Sequence, residues 1–208
     1  MPLAKSHETN VGLILLAAGG SARLGRPKQL LAYRDVTLLQ HSLQTATACT
    51  ARPVVLVLGA NAEALQKEIK EVNVDTVLNS AWQEGMASSI RCGLKAITER
   101  NPAVEGCLLM VCDQPYVTPE LLNELIAIHQ KTGKGIVACG YQDTFGPPVF
   151  FHQRFFQELL QLKGDTGARS IVREHPDMVD VIPFPEGTFD IDTEADYERI
   201  KTTTTNDQ

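Results

Sequence analysis

Basic residues follow a glycine turn near the start of the chain, at a spacing suited to binding phosphates. In LILLAAGGSARLGRPKQLL an apolar run stops at small residues, after which come Arg23, Arg26 and Lys28. Glycine lets backbone N–H groups approach an anion closely, arginine offers a planar fork for phosphate oxygens, and lysine offers a compact charge. The segment therefore predicts a clamp for a triphosphate. A plain turn with solvated basic residues is the alternative that the loop alone leaves open.

Two common phosphate-binding loops do not match this segment. A Walker loop needs lysine directly after its last glycine, whereas Gly25 is followed by Arg-Pro-Lys. The dinucleotide fingerprint also fails, because Ala22 stands at the second position after Gly20, where glycine is required. We therefore expect a phosphate clamp of another kind.

Carboxylates at two distant points of the chain are candidate magnesium ligands. In CLLMVCDQPYVTPELL an apolar run ends at Asp113, ahead of a helix start marked by Thr-Pro-Glu. In TFDIDTEADYERI, a short strand over residues 188–191 would put Asp190 and Asp192 on one face, with Thr193 capping the final helix. Magnesium prefers hard oxygen ligands and commonly takes one or two carboxylates together with substrate phosphates. A turn or capping role is the alternative for Asp192.

Two later segments contain candidate contacts for a base and for an acceptor. In NSAWQEGMASSIRCGL a loop leads into a helix, which places Gly85 and Ser89 to hydrogen-bond a pyrimidine beside a bare helix N-terminus. A capping role is the alternative for Ser88. Farther on, LKGDTGARSIV forms a turn before a helix with Arg169 in its first turn, a cradle suited to a phosphate. Most such turns only connect elements, so the turn alone does not establish an acceptor site.

Short apolar runs alternate with helix-like stretches along the chain. The predicted strands span residues 12–16, 54–58, 76–78, 107–112, 136–139, 149–151 and 179–182. The predicted helices span residues 38–48, 62–71, 88–99, 120–130, 153–162 and 168–174. The early strands are almost continuously apolar, so helices should cover both faces of the sheet. The expected fold is α/β, a doubly wound, mostly parallel, Rossmann-like sheet, with ligands beyond the carboxyl ends of its strands.

The composition narrows the classes of function. With 208 residues, 43% of them hydrophobic, we expect one domain over residues 1–208, with mobile tails at 1–10 and 202–208. A net charge of -6 argues against a nucleic-acid partner. No run approaches the roughly 20 apolar residues of a membrane helix. The five cysteines form no C-x-x-C pair, which predicts buried free thiols and a cytoplasmic protein.

The pattern L-A-A-G-x-S-x-R-x-G-x-x-K-x-L over residues 16–30 resembles the signature of the MobA-like nucleotidyltransferases. Among these, the chain is similar to the molybdenum cofactor cytidylyltransferases, because an Asp-Gln-Pro triplet, a G-D-x-G-A-R turn and a D-I-D-T terminus follow in the expected order. The resemblance implies transfer of CMP from CTP to the terminal phosphate of molybdopterin, with Mg2+ as cofactor. Ala18 stands where the related guanylyltransferases usually have glycine, which favours cytidine. Pro147 and Glu194 depart from the family's usual residues.

The resemblance also implies a role for each candidate residue. The catalytic residues are Arg23, Lys28 and Asp113, and the metal ligands are Asp113, Asp192 and Asp190. The nucleotide-binding residues are Leu16, Ala17, Ala18, Gly19, Gly20, Ser21, Arg23, Lys28, Gly85 and Ser89. The acceptor-binding residues are Gly146, Gly164, Asp165, Gly167 and Arg169.

Other functions remain open on the sequence alone. The same site would serve a transferase that uses GTP as donor, or a sugar phosphate or methylerythritol phosphate as acceptor. A nonenzymatic carrier would use the clamp only to hold molybdenum cofactor for a molybdoenzyme or its chaperone. Release of pyrophosphate from a triphosphate separates the enzymes from the carrier.

Overall fold

Nine strands and seven α-helices make up the described part of the chain, residues 10–69, 72 and 74–205 of a computed structural model. The strands are β1 (Val11–Leu16), β2 (Ala32–Tyr33), β3 (Val36–Thr37), β4 (Val54–Leu58), β5 (Asp75–Leu78), β6 (Gly106–Val111), β7 (Ile136–Tyr141), β8 (Thr144–His152) and β9 (Val179–Pro183). The helices are α1 (Leu38–Ala48), α2 (Ala62–Glu68), α3 (Met86–Arg100), α4 (Pro119–Thr132), α5 (Phe156–Gln161), α6 (Arg169–Glu174) and α7 (Glu194–Thr205).

The main sheet has seven strands in the order β5-β4-β1-β6-β8-β7-β9. β1 pairs in parallel with β4 and β6, β4 with β5, and β7 with β9, while β8 is antiparallel to both of its neighbours. The order runs outward from β1 on both sides, as in a doubly wound sheet. The predicted fold class, a mostly parallel α/β sheet, is confirmed.

Helices cover both faces of this sheet, because successive residues of each buried strand point to opposite sides. Leu13 and Leu15 join one core with α1, α2 and α4, whereas Ile14 joins a second core with α3, α5 and α6. Helix α3 lies especially close to the sheet, since a Cβ on Gly93 would come within 2.4 Å of the Ile14 side chain. This packing explains why the central strands are apolar at every position.

A third, smaller core joins the C-terminal helix to the hairpin formed by β2 and β3. Its buried members are Leu31, Tyr33, Leu38, Ile191, Tyr197 and Ile200. The hairpin follows the basic loop directly, and Ile191 lies between two aspartates, so this core holds the two ends of the predicted site together. The hairpin itself was not predicted from the sequence.

Most predicted boundaries lie within two residues of the observed ones, with four larger differences. β8 begins at Thr144, five residues earlier than expected. The helix predicted for residues 153–162 is a 3-10 turn followed by α5. Helix α2 ends at Glu68, and residues 70 and 71 of the longer prediction lie outside the described residues. The strand predicted for residues 188–191 is wrong, because Pro185–Thr188 forms a 3-10 turn and an irregular segment leads from it into α7.

The predictions for the chain ends and the cysteines have different outcomes. Residues 1–9 and 206–208 lie outside the described residues, and residues 202–205 continue α7, so the mobile tails stay a prediction. Four of the five cysteines are buried, all five are free thiols, and burial raises the pKa of Cys112 to about 12. Among the described helices, none is long and apolar enough to cross a membrane.

Candidate active site

A cleft of about 600 Å³ opens beyond the carboxyl ends of β1 and β6, where the fold predicts a ligand. Most of the predicted nucleotide-binding residues line it, namely Leu16, Ala17, Ala18, Gly19, Gly20, Lys28, Gly85 and Ser89. Asp113 also lines the cleft, whereas Ser21 and Arg23 do not. Ser21 instead shapes the loop, since its Oγ accepts a hydrogen bond of 3.0 Å from the Lys28 backbone N–H.

The predicted cations and carboxylates meet in one network at the rim of this cleft. The Lys28 ammonium donates hydrogen bonds to Asp113 and, at 2.9 Å, to Oδ1 of Asp192. Arg23 donates to the other oxygen of Asp192 at 2.7 Å, although its own side chain is 72% exposed. A backbone bond of 3.1 Å from Ile191 N–H to the Asp113 carbonyl joins the two acidic segments. The arrangement brings together groups separated by up to 169 residues of sequence.

The electrostatics of the network keep Lys28 charged. Burial alone would lower the pKa of this lysine, but the charges of Asp113 and Asp192 and their hydrogen bonds outweigh it and raise the pKa above 10.5. The lysine side chain is 17% exposed and that of Asp113 is 19% exposed, so their attraction is only partly screened by water. A fixed positive charge therefore lies at the cleft throughout the physiological pH range.

The acidic residues have the chemistry of a divalent-cation site. One carboxylate oxygen of Asp113, Oδ1, is buried and has no hydrogen-bond partner within the described part of the chain, which leaves a hard oxygen ligand unused. Asp190 is exposed overall, yet surrounding protein desolvates its carboxyl group and the Asp113 charge repels it, which raises its pKa to about 6. Asp113, Asp190 and Asp192 therefore fit a magnesium ion, which would relieve their mutual repulsion.

Sequence reasoning missed Gln29, which fixes the shape of the glycine loop. This residue is 1% exposed, and its Nε2 donates to the carbonyl oxygens of Ala17 at 3.0 Å and Gly19 at 2.9 Å. Because Gln29 binds these two carbonyl oxygens, they point away from the cleft, and the opposite edge of the glycine loop faces it. A glutamine directly after a lysine reads as a surface residue, so nothing in the local pattern indicated its burial.

The start of α3 is covered by the turn before α6, contrary to the expected bare N-terminus. The Ala87 N–H donates to the Gly164 carbonyl at 3.2 Å, and the Met86 N–H donates to the Asp165 carboxylate at 3.4 Å. Gly85 has φ +101°, and a Cβ there would come within 2.6 Å of the Gly164 backbone. The predicted free anion site at this helix end is therefore wrong.

The two serines of α3 are tied to a buried asparagine that the sequence did not single out. Asn79 donates through Nδ2 to Ser88 Oγ at 2.8 Å and to Ser89 Oγ at 3.0 Å. Ser88 lies inside α3 and Gly85 is its N-cap, so the capping alternative for this serine is also wrong. Because the Ser89 oxygen already accepts from Asn79, the Ser89 hydroxyl retains its hydrogen for donation into the cleft.

A second cavity of about 300 Å³ lies beside the cleft and shares Met86, Val111 and Asp165 with it. Four of the predicted acceptor-binding residues line this cavity, namely Gly146, Asp165, Gly167 and Arg169, whereas Gly164 does not. The rest of the wall is mostly apolar, with Ile90, Leu109, Phe145, Pro147, Val149 and Val172 among its residues. The sequence indicated the turn and Arg169, but this apolar wall was not predicted, because its residues come from four separate elements.

A doubly wound sheet with a glycine turn, a partly buried lysine and carboxylates beyond its strand ends defines an α/β protein of the nucleotide-binding class. The chain belongs to the family with the MobA-like NTP transferase domain, which it matches over residues 13–179. It is therefore a member of a nucleotidyltransferase family, and the two C-terminal aspartates lie beyond the matched segment.

Several known proteins are similar to this chain, in sequence or in structure, along most of its length. Nicotine blue oxidoreductase of Paenarthrobacter nicotinovorans is 32% identical over 198 residues, which cover 90% of this chain and 94% of the relative. The crystal structure of Rv0371c of Mycobacterium tuberculosis is 34% identical, with a TM-score of 0.81 over 92% of this chain and 97% of the other. The structure of Rv0371c in complex with manganese is 32% identical, with a TM-score of 0.77 over 92% of this chain and 98% of the other. The molybdenum cofactor cytidylyltransferase of Escherichia coli K12 is 22% identical over 192 residues, 92% of this chain and 95% of the relative.

Proposed function

We propose that this protein transfers CMP from CTP to the terminal phosphate of molybdenum cofactor, with Mg2+ as cofactor and release of pyrophosphate. The observation that carries the proposal is the network at the cleft rim, in which Lys28 is bonded to Asp113 and Asp192 directly below the glycine loop. Transfer of a nucleotide from a triphosphate uses this combination of fixed cations and hard oxygen ligands. The distant similarity to a molybdenum cofactor cytidylyltransferase supports the acceptor and the donor.

The proposed chemistry is one substitution at phosphorus. An oxygen of the acceptor's terminal phosphate attacks the α-phosphorus of CTP, and the bond from that phosphorus to the oxygen bridging to the β-phosphate breaks. The products are a CMP–acceptor joined by a new phosphoanhydride and free pyrophosphate, with no transfer of electrons. Such a step depends on positioning and charge neutralisation and needs no covalent intermediate on the protein.

The cations and the carboxylates of the network have different roles in this step. Lys28 and Arg23 offset the negative charge that grows on the leaving pyrophosphate, because both are cations beside the loop that binds the triphosphate. Asp113 and Asp192, with Asp190, would hold Mg2+, which supplies charge neutralisation to the phosphate oxygens when bound. In the ligand-free protein Lys28 neutralises the same carboxylates, so an incoming triphosphate competes with Asp113 and Asp192 for the ammonium group.

The experiment that tests this function compares Asp113→Ala with the wild type. We expect the variant to fold normally and to lose pyrophosphate release from CTP plus molybdopterin by about a thousandfold. Asp143→Ala, which removes an exposed carboxylate in the turn between β7 and β8, is the matched control and should retain normal turnover. Near-normal release by Asp113→Ala would refute the metal assignment.

The donor can be assigned through the only tryptophan of the chain. Trp82 lines the cleft beside Gly20, where a Cβ would come within 3.3 Å of the indole ring, so its fluorescence should report on nucleotide binding. Titration with CTP, GTP, ATP and UTP in the presence of Mg2+ should give the tightest binding for CTP. A stronger response to GTP, or turnover only with a sugar phosphate or methylerythritol phosphate, would replace the proposed substrates with those of a related transferase.

A second candidate function is a redox reaction, which the 32% identity to nicotine blue oxidoreductase favours. Three arms separate the candidates in one set of assays. Release of pyrophosphate would support the transferase. Protein-dependent oxidation of a reduced nicotinamide, with an aromatic compound as electron acceptor, would support the redox function. Tight binding of molybdenum cofactor without either reaction would support a carrier for a molybdoenzyme. The dinucleotide fingerprint is missing from the glycine loop, and this favours the first arm.

A further inference from the structure

The turn that carries Asp113 is held from two sides by hydrogen bonds to its backbone carbonyls. On the C-terminal side, the Ile191 N–H donates to the carbonyl of Asp113 itself at 3.1 Å. On the side of α1, the His41 ring contacts the carbonyl of Pro115, two residues farther on, with 2.8 Å between Nε2 and the oxygen. The position of the Asp113 backbone therefore depends on two elements that are far away in the sequence.

A second contact from α1 to this turn is weaker. Ser42 is 1% exposed, and its hydroxyl donates to the carbonyl of Cys112 at 3.3 Å. An O–H···O bond is usually about 2.5–3.0 Å long, so this bond is stretched, whereas the His41 bond has the ordinary length of an N–H···O bond. His41 is therefore the main anchor of the turn on α1.

The tautomer of His41 follows from its partner. A carbonyl oxygen only accepts hydrogen bonds, so Nε2 of the ring carries the hydrogen. Burial lowers the pKa of His41 below the usual 6.5, by more than the bond to the Pro115 carbonyl raises it. The ring is therefore a neutral donor at physiological pH.

The His41 ring is fixed in place by the hairpin of β2 and β3. Its centroid lies 4.7 Å from that of the Tyr33 ring, at an interplanar angle of 59°. Tyr33 is 4% exposed and belongs to the third core, together with Ile191. The donor to Pro115 therefore packs on the same small core that brings Ile191 to Asp113.

We propose that His41 is a positioning residue, which aligns the Asp113 carboxylate for the metal ion by holding the turn through the Pro115 carbonyl. This inference rests on the proposed function, because it takes Asp113 as a metal ligand. Mg2+ requires near-ideal octahedral geometry, and residues that hold a ligand from behind typically change metal affinity or activity by about 10- to 100-fold. His41 is not among the described residues that line the cleft, so it acts only through the turn.

The test removes the donor in one variant and keeps it in another. His41→Leu has no group that can bond to the carbonyl, whereas the side-chain amide of His41→Gln can donate from the same distance along the side chain. We expect the dissociation constant for Mn2+ alone to rise about tenfold in His41→Leu and by less than about threefold in His41→Gln. Titration followed by electron paramagnetic resonance measures free Mn2+.

His129→Leu is the matched control, because it removes the same kind of bond elsewhere. Nδ1 of His129, on α4, contacts the Lys134 carbonyl at 2.7 Å, and His129 is not among the described residues lining the cleft. This control should lower the free energy of unfolding, as His41→Leu does, but leave Mn2+ affinity unchanged. Wild-type Mn2+ affinity in His41→Leu, or an equal loss of affinity in His41→Gln or in the control, would overturn the proposal.

Hydrogen exchange in the ligand-free protein keeps the test independent of the reaction. The Ile191 N–H donates to the Asp113 carbonyl, so its exchange rate reports whether the turn stays in place. We expect this exchange to be about tenfold faster in His41→Leu than in the wild type or His41→Gln. Exchange of the Asn79 N–H, which donates to the Leu58 carbonyl at 2.7 Å, should stay the same.

The two measurements separate this inference from the proposed function. If the wild type released no pyrophosphate from any triphosphate, the proposed function would fail, and exchange at Ile191 would still decide whether His41 holds the turn. Unchanged exchange at Ile191 in His41→Leu would overturn the inference even if the wild type proved to be an active transferase.

Discussion

The two adjoining cavities are built from opposite kinds of residue. The nucleotide cleft has backbone edges, the partly buried Lys28 and Asp113, and hydrogen bonds at its rim join this pair to Asp192 from a segment far away in sequence. The second cavity has an apolar wall with two charged residues, Asp165 and Arg169. Met86, Val111 and Asp165 line both, so the two cavities share a wall.

This contrast separates residues that hold charge at fixed positions from residues that only shape a cavity. Positioning a triphosphate demands fixed charges at fixed distances, and few side chains satisfy that demand. An apolar cavity only requires a shape, which many combinations of side chains provide. We therefore expect substitutions at the cleft to reduce the reaction itself, and those at the second cavity to alter which acceptor is used.

The largest effect should come from Lys28→Met, which removes the central cation of the cleft, leaves Asp113 without its lysine partner and leaves Asp192 paired with Arg23 alone. We expect kcat for pyrophosphate release to fall between about a hundredfold and a thousandfold at saturating substrates. Arg26→Met is the control, because Arg26 is half exposed and pairs with Glu194 outside the cleft. A loss of similar size in both variants would show that the cleft has no special charge at Lys28.

Phe145→Ala widens the second, apolar cavity and tests whether this cavity binds the acceptor. We expect KM for the acceptor to rise about tenfold, since part of a buried aromatic contact is lost, with the dissociation constant of CTP unchanged. Phe189→Ala removes an exposed aromatic ring that packs on Tyr116 and should change neither value. Weaker CTP binding in Phe145→Ala would show that the two cavities do not divide the substrates in this way.

Gln29→Leu should have an intermediate effect, on the cleft and on stability together. The two loop carbonyls would lose their buried donor, which should lower the free energy of unfolding by about 1–3 kcal/mol and weaken nucleotide binding severalfold. Denaturant unfolding and Trp82 fluorescence measure the two effects. Gln44→Leu, at an exposed position of α1, provides the control and should be close to neutral.

The smallest effect concerns Asp190 and pH in protein free of divalent cations. Its pKa is about 6 in the folded protein and 3.8 as the ordinary value, so the folded state binds the proton more tightly and stability falls as pH rises from about 4 to 6. Asp190→Asn removes this loss. Because the residue is exposed, screening limits the gain to about 1 kcal/mol, or ~2–4 °C in Tm.

Melting curves at two pH values check this prediction. At pH 8 without divalent cation the Asp190→Asn protein should melt above the wild type, and at pH 4 the two should nearly coincide. Adding Mg2+ should then stabilise the wild type more than the variant, because the ion binds the folded state through the carboxylates. Equal gains from Mg2+ would remove Asp190 from the proposed set of ligands.

The sequence predicted those parts of the molecule that short-range patterns determine. Continuous apolar strands indicated a sheet covered on both faces, and Asp113 at a strand end indicated a cleft residue. The approach of Asp192 could not be read this way, because its place depends on the packing of α7 against Tyr33 and Leu38 rather than on the strand expected before it. The roles of these residues in binding stay predictions.

Gln29 and Asn79 were missed although their partners are near in sequence. Gln29 donates to Ala17 and Gly19, 12 and 10 residues away, and Asn79 donates to two serines of α3, 9 and 10 residues away. A single sequence contains no periodic signal for such contacts of a buried polar side chain.

Asp190 and Asp192 follow the last strand of the sheet, so the acidic site is complete only when this late segment reaches Asp113, to which Ile191 is joined by a backbone bond. During synthesis a nascent chain would have every strand of the sheet available once β9 had emerged, but neither Asp190 nor Asp192. A protease that removes the chain after β9 would leave the same state, a protein with an intact sheet and only Asp113 of the three candidate carboxylates. We therefore expect truncation there to abolish the proposed Mg2+ binding while sparing the main sheet.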